Sequence, residues 1–171
     1  DDRTANPMTV LRCAYGRCGE ESTFATTAFR SVGIPTRQIY TPRWPHCDDN
    51  HAWIEVWCDG DWHYLGACEP EEVLDKGWFT AAASRAMIIH SRMFSDYVEN
   101  EEIVTHEGLT TVCNELSRYA DTQTFSVTVT ENGQPLSGVT LRIELLNYSE
   151  FFPISTLVTD ENGKASITLG L

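Results

Sequence analysis

No run of 18 apolar residues occurs in the 171-residue chain, which excludes a membrane-spanning helix. Positive charge is scarce as well: 12 Lys and Arg stand against 25 Asp and Glu, a formal net charge of -13. A chain this acidic repels phosphate backbones and anionic headgroups, which argues against nucleic acid as a partner and against membrane insertion. The six cysteines (Cys13, Cys18, Cys47, Cys58, Cys68 and Cys113) include no CxxC pair, and are too few for a disulfide scaffold and too scattered for a zinc ribbon. The opening DDRTANP lacks a charged-then-apolar leader, so any export signal is expected to have been removed or to lie outside this sequence.

What is present suffices for one substantial core, or for a medium domain and a small one, since 42% of the residues are hydrophobic. The run GRCGEESTF (residues 16 to 24) leads a cysteine into a helical pattern in which Phe24, Ala25, Ala28, Phe29 and Val32 recur near the 3.6-residue period. Gly33, Ile34 and Pro35 supply a glycine stop, an apolar residue and a proline, so the spacing predicts a helix of about 14 residues. RQIYT (37 to 41) reads as a strand and PRWPHCDDN as a loop. HAWIEVW, Asp59-Gly60 and WHYLGA form an antiparallel hairpin. The segment 68 to 84 reads as loop or short helix, and RAMIIHSRMF (85 to 94) as a strand buried at Met87 and Ile89. EEIVTHE reads as another strand, and TTVCNELSRYA as a strand or a connector.

Beyond Tyr119 the chain turns to strand alternation alone. TFSVTVT places Phe125, Val127 and Val129 on one face, VTLRIEL alternates through Val139, Leu141, Ile143 and Leu145, and two more strands flank Asn162-Gly163. Four strand signals in about 50 residues predict a small β-sandwich. The expected organisation is therefore an α+β domain over residues 1–120 and an all-β sandwich module over 121–171, the latter truncated if more chain follows.

A cysteine at a helix N-terminus meets unpaired backbone N–H groups and the positive end of the helix dipole, which favour thiolate and make the sulfur a nucleophile. The same N–H groups suit a developing oxyanion. Gly16 and Gly19 leave room around the thiol. Of the five histidines, His51 is the best placed proton carrier, because it opens a strand directly after a polar loop. The expected resting form is a thiolate–imidazolium ion pair. The loop HCDDNH (46 to 51) holds metal-donor residue types, but a plain polar loop is the preferred reading and no metal site is assigned.

GRCGEESTFATTAFRSVGIPTRQIY followed by DDNHAWIEVWCDGDWHYLGACEP resembles the catalytic core of the transglutaminase-like superfamily over roughly residues 7 to 95. Three motifs carry the likeness in order: a cysteine at a helix start, the strand entry GIPTR, and the strand HAWIEV. RCGE and CEPEEVLDKGW look closest to the peptide N-glycanase branch and to bacterial transglutaminase-like proteins. The resemblance implies a papain-like core, with the catalytic helix packed on an antiparallel sheet, Cys18 as nucleophile and His51 as general base and acid. It calls for no cofactor and implies a protein, peptide or glycopeptide substrate.

The family's usual third residue falls four positions after the tryptophan of the returning strand, where this chain has Gly66. Glu69 is the nearest carboxylate; Asp48, Asp49 or Asn50 from the loop, or no partner at all, are the alternatives. Trp44 and Trp53 are the candidate substrate-binding residues. GQPLSGVTLRIEL and LVTDENGKASITL are similar to carboxypeptidase-regulatory-like and bacterial immunoglobulin-like modules, which implies a bacterial periplasmic or cell-surface protein with a spacer or binding platform. Two functions follow: a cysteine-dependent amidase, peptidase or transglutaminase-type enzyme working through a thioester, or a catalytically weakened scaffold for protein or glycan binding.

Overall fold

The computed structural model describes residues 5–95 and 101–171. Two helices lead: α1 (Pro7–Cys13) and α2 (Cys18–Ser31). The first was not foreshadowed by periodicity; it is set by its cap, where the Asn6 carbonyl side chain accepts from the Thr9 backbone N–H at 3.0 Å ahead of a proline at the first helical position. α2 has the expected 14 residues and ends as anticipated, with Gly33 at φ 85 and the Ile34 N–H bonded back to the Phe29 carbonyl at 3.0 Å. Its deepest residues, however, are polar: Glu20, Ser22 and Thr26 are buried, whereas the apolar stripe is half-buried or exposed. Small hydroxyl side chains let the helix lie close to the sheet, and Ser22 Oγ donates to the Cys18 carbonyl at 2.6 Å.

Six strands then form one antiparallel sheet: β1 (Thr36–Thr41), β2 (His51–Cys58), β3 (Asp61–Leu65), β4 (His90–Met93), β5 (Glu102–Glu107) and β6 (Thr110–Asn114), in the order β3-β2-β1-β4-β6-β5. A short helix, α3 (Thr80–Ala83), lies between β3 and β4, and a 3₁₀ turn (Leu116–Arg118) follows β6. β4 starts later than the pattern RAMIIHSRMF predicts, although Ile88 and Ile89 are fully buried. The carbonyls of Met87, Ile88 and Ile89 accept from the Gly170 N–H, the Thr41 hydroxyl and the Glu115 N–H, three separate places in the chain rather than the ladder of one neighbouring strand.

Register explains two motifs at once. Arg37 of GIPTR sits opposite Glu55 of HAWIEV, and their side chains meet at 2.7 Å with the guanidinium 3% exposed. The same guanidinium reaches Glu115 at 2.7 Å and Glu101 at 2.8 Å, and the Trp62 ring covers it at 4.3 Å. Burial opposes the charge of Arg37, but the carboxylates outweigh it and hold it protonated. These residues lock three strands and the chain after β6 to one another.

The C-terminal strands are β7 (Thr122–Thr128), β8 (Thr130–Glu131), β9 (Gln134–Pro135), β10 (Thr140–Asn147), β11 (Glu150–Val158) and β12 (Lys164–Gly170). They pair as β10-β11, β12-β7 and β8-β9. Phe125 and Val127 of β7 are exposed; the buried apolar residues come from β11 and β12. Ile154, Ile167 and Leu169 pack into one cluster with Val104 and Val112 of the six-stranded sheet and with Ile88, just ahead of β4. A second cluster, on the other side of the sheet, gathers Ile39, Trp44, Trp53, Phe79, Ile89 and Leu116.

Candidate active site

Cys18 is the first residue of α2 and is half-buried. The preceding Arg17 is extended, and its backbone N–H donates to Glu20 Oε2 at 2.9 Å, the only usable half of a capping box because an arginine side chain accepts nothing. Burial works against the Glu20 charge, yet the backbone bonds hold its carboxyl below the usual range. Gly16 is needed here, since a Cβ would come within 2.9 Å of Glu20 Cβ; Gly19 faces open space beside the thiol.

Strand alternation separates the two key groups. Gln38 donates to the Gly19 carbonyl at 3.1 Å, so its face of β1, shared by Tyr40 and Ile54, carries α2. His51 pairs with Thr41 and therefore projects from the opposite face, at the first residue of β2. Sulfur and imidazole can meet only around this rim of the sheet. Several groups gather at the rim: the Tyr40 hydroxyl is raised by burial and further by the charges of Cys18 and Asp49, against the opposing Arg92. Glu21, in the first turn of α2, is raised by burial and then by Glu69.

His51 lies in an aromatic box. Ring centroids stand at 4.8 Å from Trp78, 5.0 Å from Phe79, 5.8 Å from Trp53 and 6.5 Å from Trp44. Nε2 is buried without a hydrogen-bond partner and faces Glu69 Oε1 at 4.0 Å. Burial lowers the imidazole from its ordinary value, while Glu69 and Asp49 pull the other way. Burial in aromatic walls therefore works against the charged ring.

Trp44 and Trp53 form the floor of this box: they are 3% and 0% exposed and stack in parallel at 6.4 Å. Trp53 Nε1 donates to the Tyr119 hydroxyl at 2.9 Å, and that hydroxyl donates to Glu55 Oε1, which ties the floor to the Arg37 cluster. The aromatic that meets solvent beside His51 is Trp78, 61% exposed, whose Nε1 donates to Glu69 Oε1 at 2.8 Å. Sequence reasoning passed over Trp78 because it lies in a segment without periodicity; its signal was the glycine before it, since a Cβ at Gly77 would come 2.7 Å from the Phe79 ring. The segment is pinned at its middle, where the His63 ring meets Asp75 at 2.6 Å and the Tyr64 N–H donates to Asp75 at 3.0 Å.

Glu69 folds back over Gly66. A Cβ built at Gly66 would lie 3.1 Å from Glu69 Oε1, so the carboxylate occupies the space a side chain at 66 would take. All six cysteines are free, and Cys58 sits opposite Asp61 rather than Cys68. Among the described residues no three His, Cys, Asp or Glu side chains come together closely enough to hold a metal ion.

Against known proteins, the family model of the transglutaminase-like superfamily matches residues 1–67. No curated protein and no solved structure matches the chain. The matched stretch contains Cys18, His51 and Gly66 and stops two residues short of Glu69, so over its first 67 residues the chain is similar to the transglutaminase-like superfamily.

Proposed function

We propose that the chain is a cysteine-dependent acyl-transfer enzyme acting on an amide or acyl carbonyl of a protein, peptide or glycopeptide. Cys18 is the nucleophile, and its sulfur forms a bond to the carbonyl carbon as His51 takes the thiol proton. Collapse of the tetrahedral species breaks the bond to the leaving amine, which receives that proton from His51, and leaves a thioester. Water or a second amine then attacks the thioester with His51 again as base. The free N–H groups of the first turn of α2 are the donors available to the oxyanion.

The observation that carries this reading is Glu69, whose carboxylate lies over Gly66 and faces His51 Nε2 at 4.0 Å. At 4.0 Å the carboxylate makes no hydrogen bond to Nε2; drawn in to hydrogen-bonding distance it would hold the proton there and leave Nδ1 as the basic nitrogen for the thiol. The lowered imidazole supports the same role, because a neutral ring is the form that accepts a proton. The scaffold reading keeps one observation in its favour, the unpartnered Nε2.

The test is acylation by an activated ester such as p-nitrophenyl acetate, with mass mapping of the adduct. The expected result is a transient acyl group on Cys18, abolished by Cys18→Ala and slowed by about 10² to 10⁴ by His51→Ala. Acyl transfer surviving in Cys18→Ala, or no adduct at Cys18 in the unmodified protein, would favour the scaffold.

A further inference from the structure

We propose that Asn147, at the tip of the β10–β11 hairpin, is a positioning residue for His51, so that the C-terminal strands are part of the active-site machinery rather than a spacer. The proposal rests on the reading of His51 as the proton carrier.

Asn147 is 5% exposed and its amide is saturated by a single loop. Nδ2 donates toward the carbonyls of Trp44 at 2.8 Å, Pro45 at 3.1 Å and Cys47 at 3.2 Å, while Oδ1 accepts from Arg43 Nε at 3.1 Å. Residues 43–47 are curled around one carboxamide, the only side-chain type of this size that donates to carbonyls and accepts from a guanidinium together. Arg43 is held in turn over the Phe152 ring at 4.9 Å and near Glu150 at 3.6 Å. The hairpin turn that aims Asn147 inward has Tyr148 at φ 52 and Ser149 at φ 62, left-handed positions that usually call for glycine or asparagine. Such backbone persists where surrounding contacts over-determine it.

The clamped loop leads directly to the site. The Trp44 N–H bonds the Asp49 carbonyl at 2.9 Å, closing the loop one residue before Asn50 and two before His51. The Trp44 ring lies parallel to Trp53, within 1°, and forms one wall of the imidazole box. Losing the Asn147 bonds leaves three carbonyls without their donor, and the loop opens to water to satisfy them. That removes the Trp44 wall and moves Asp49, the two parts of the His51 surroundings this loop supplies; Glu69 and Trp78 come from the other side.

The test uses the full chain. In Asn147→Ala the His51 ring, followed by NMR titration, is expected to move up toward an ordinary imidazole as water reaches it, and Cys18 alkylation by iodoacetamide at neutral pH is expected to fall between about tenfold and 10²-fold. Tyr148→Gly, in the same turn but exposed, is expected to leave both readouts unchanged. If Asn147→Ala lowers the urea midpoint while the His51 titration and the alkylation profile stay as in the unmodified protein, Asn147 is only structural and the proposal fails. Should Asn147→Ala not fold, Asn147→Asp keeps the shape and the acceptor for Arg43 but removes the donor to the three carbonyls, and an unmoved His51 titration there overturns the proposal equally. The titration needs no turnover, so an unmoved His51 marks failure of this proposal, whereas absence of acylation at Cys18 in the unmodified protein marks failure of the reading on which it rests.

Discussion

Replacing Arg37 by methionine removes the cation from the most deeply buried ionic cluster among the described residues. Glu55 and Glu115 are each 2% exposed at the side chain, and both lose a partner at 2.7 Å; Glu101 loses one at 2.8 Å. Methionine fills most of the volume, so the dominant effect is not a cavity but carboxylates left buried and mutually repelling. Breaking such a cluster by removing one partner costs about 3–5 kcal/mol, which for a chain of this length lowers the melting temperature by roughly 6 to 20 °C. The pH dependence identifies the cause. Burial already raises the Glu115 carboxyl although Arg37 pulls it down, and without Arg37 the rise is larger. A carboxyl raised in the folded state binds its proton there before the unfolded chain does, at about pH 4.3, so folding gains as pH falls. The deficit of Arg37→Met is therefore largest near neutral pH and shrinks on acidification. Urea unfolding at about pH 7.5 and about pH 5 measures both quantities. A deficit under about 1 kcal/mol, or one that stays constant between the two pH values, would refute the assignment of this cluster as an electrostatic lock.

Two further outcomes follow from groups with one defined environment. His90 is pulled down to about 4 by burial, with Arg92 adding to the effect, so the unfolded chain takes up a proton below about 6.5 that the fold refuses. Up to about 3 kcal/mol of stability is lost as pH falls from about 6.5 to about 4; His90→Gln is expected to flatten that limb in urea midpoints, and an unchanged limb would assign the loss elsewhere. Gly66→Ala places a Cβ 3.1 Å from Glu69 Oε1 and 3.0 Å from the Glu69 carbonyl oxygen, forcing the carboxylate away from His51. Acylation of Cys18 is expected to slow, with little change in stability, and equal rates in the two proteins would remove Glu69 from the site.

The helix behind Cys18, the β2–β3 hairpin and the strand that begins in GIPTR were legible because each rests on local rules: a glycine stop, an Asp-Gly turn, a short β-prone run. The pairing of Arg37 with Glu55 was not, since both sit in apolar strands where a charge reads as an anomaly until register sets them opposite each other. The strand 85 to 94 was over-extended because burial of Ile88 and Ile89 looks like a strand, while the competition for their carbonyls comes from residues far away in sequence. At the site, Cys18, His51 and Glu69 were readable as residue types near motifs. The choice of Trp78 as the solvent-facing ring depends on a segment whose path is set by the contacts of Asp75 and Gly77 rather than by any period, and the burial of Trp44 depends on a loop bonded to the distant Asn147.

The apolar cluster that joins Ile154, Ile167 and Leu169 to Ile88, Val104 and Val112 has a bearing on how this protein can be dissected or recombined. Cutting near residue 120 would uncover greasy surface on both pieces. Anyone transplanting the terminal strands onto another host, or trading them for a relative's, must carry a matching patch across, and a swap chosen by sequence boundary alone would yield insoluble halves.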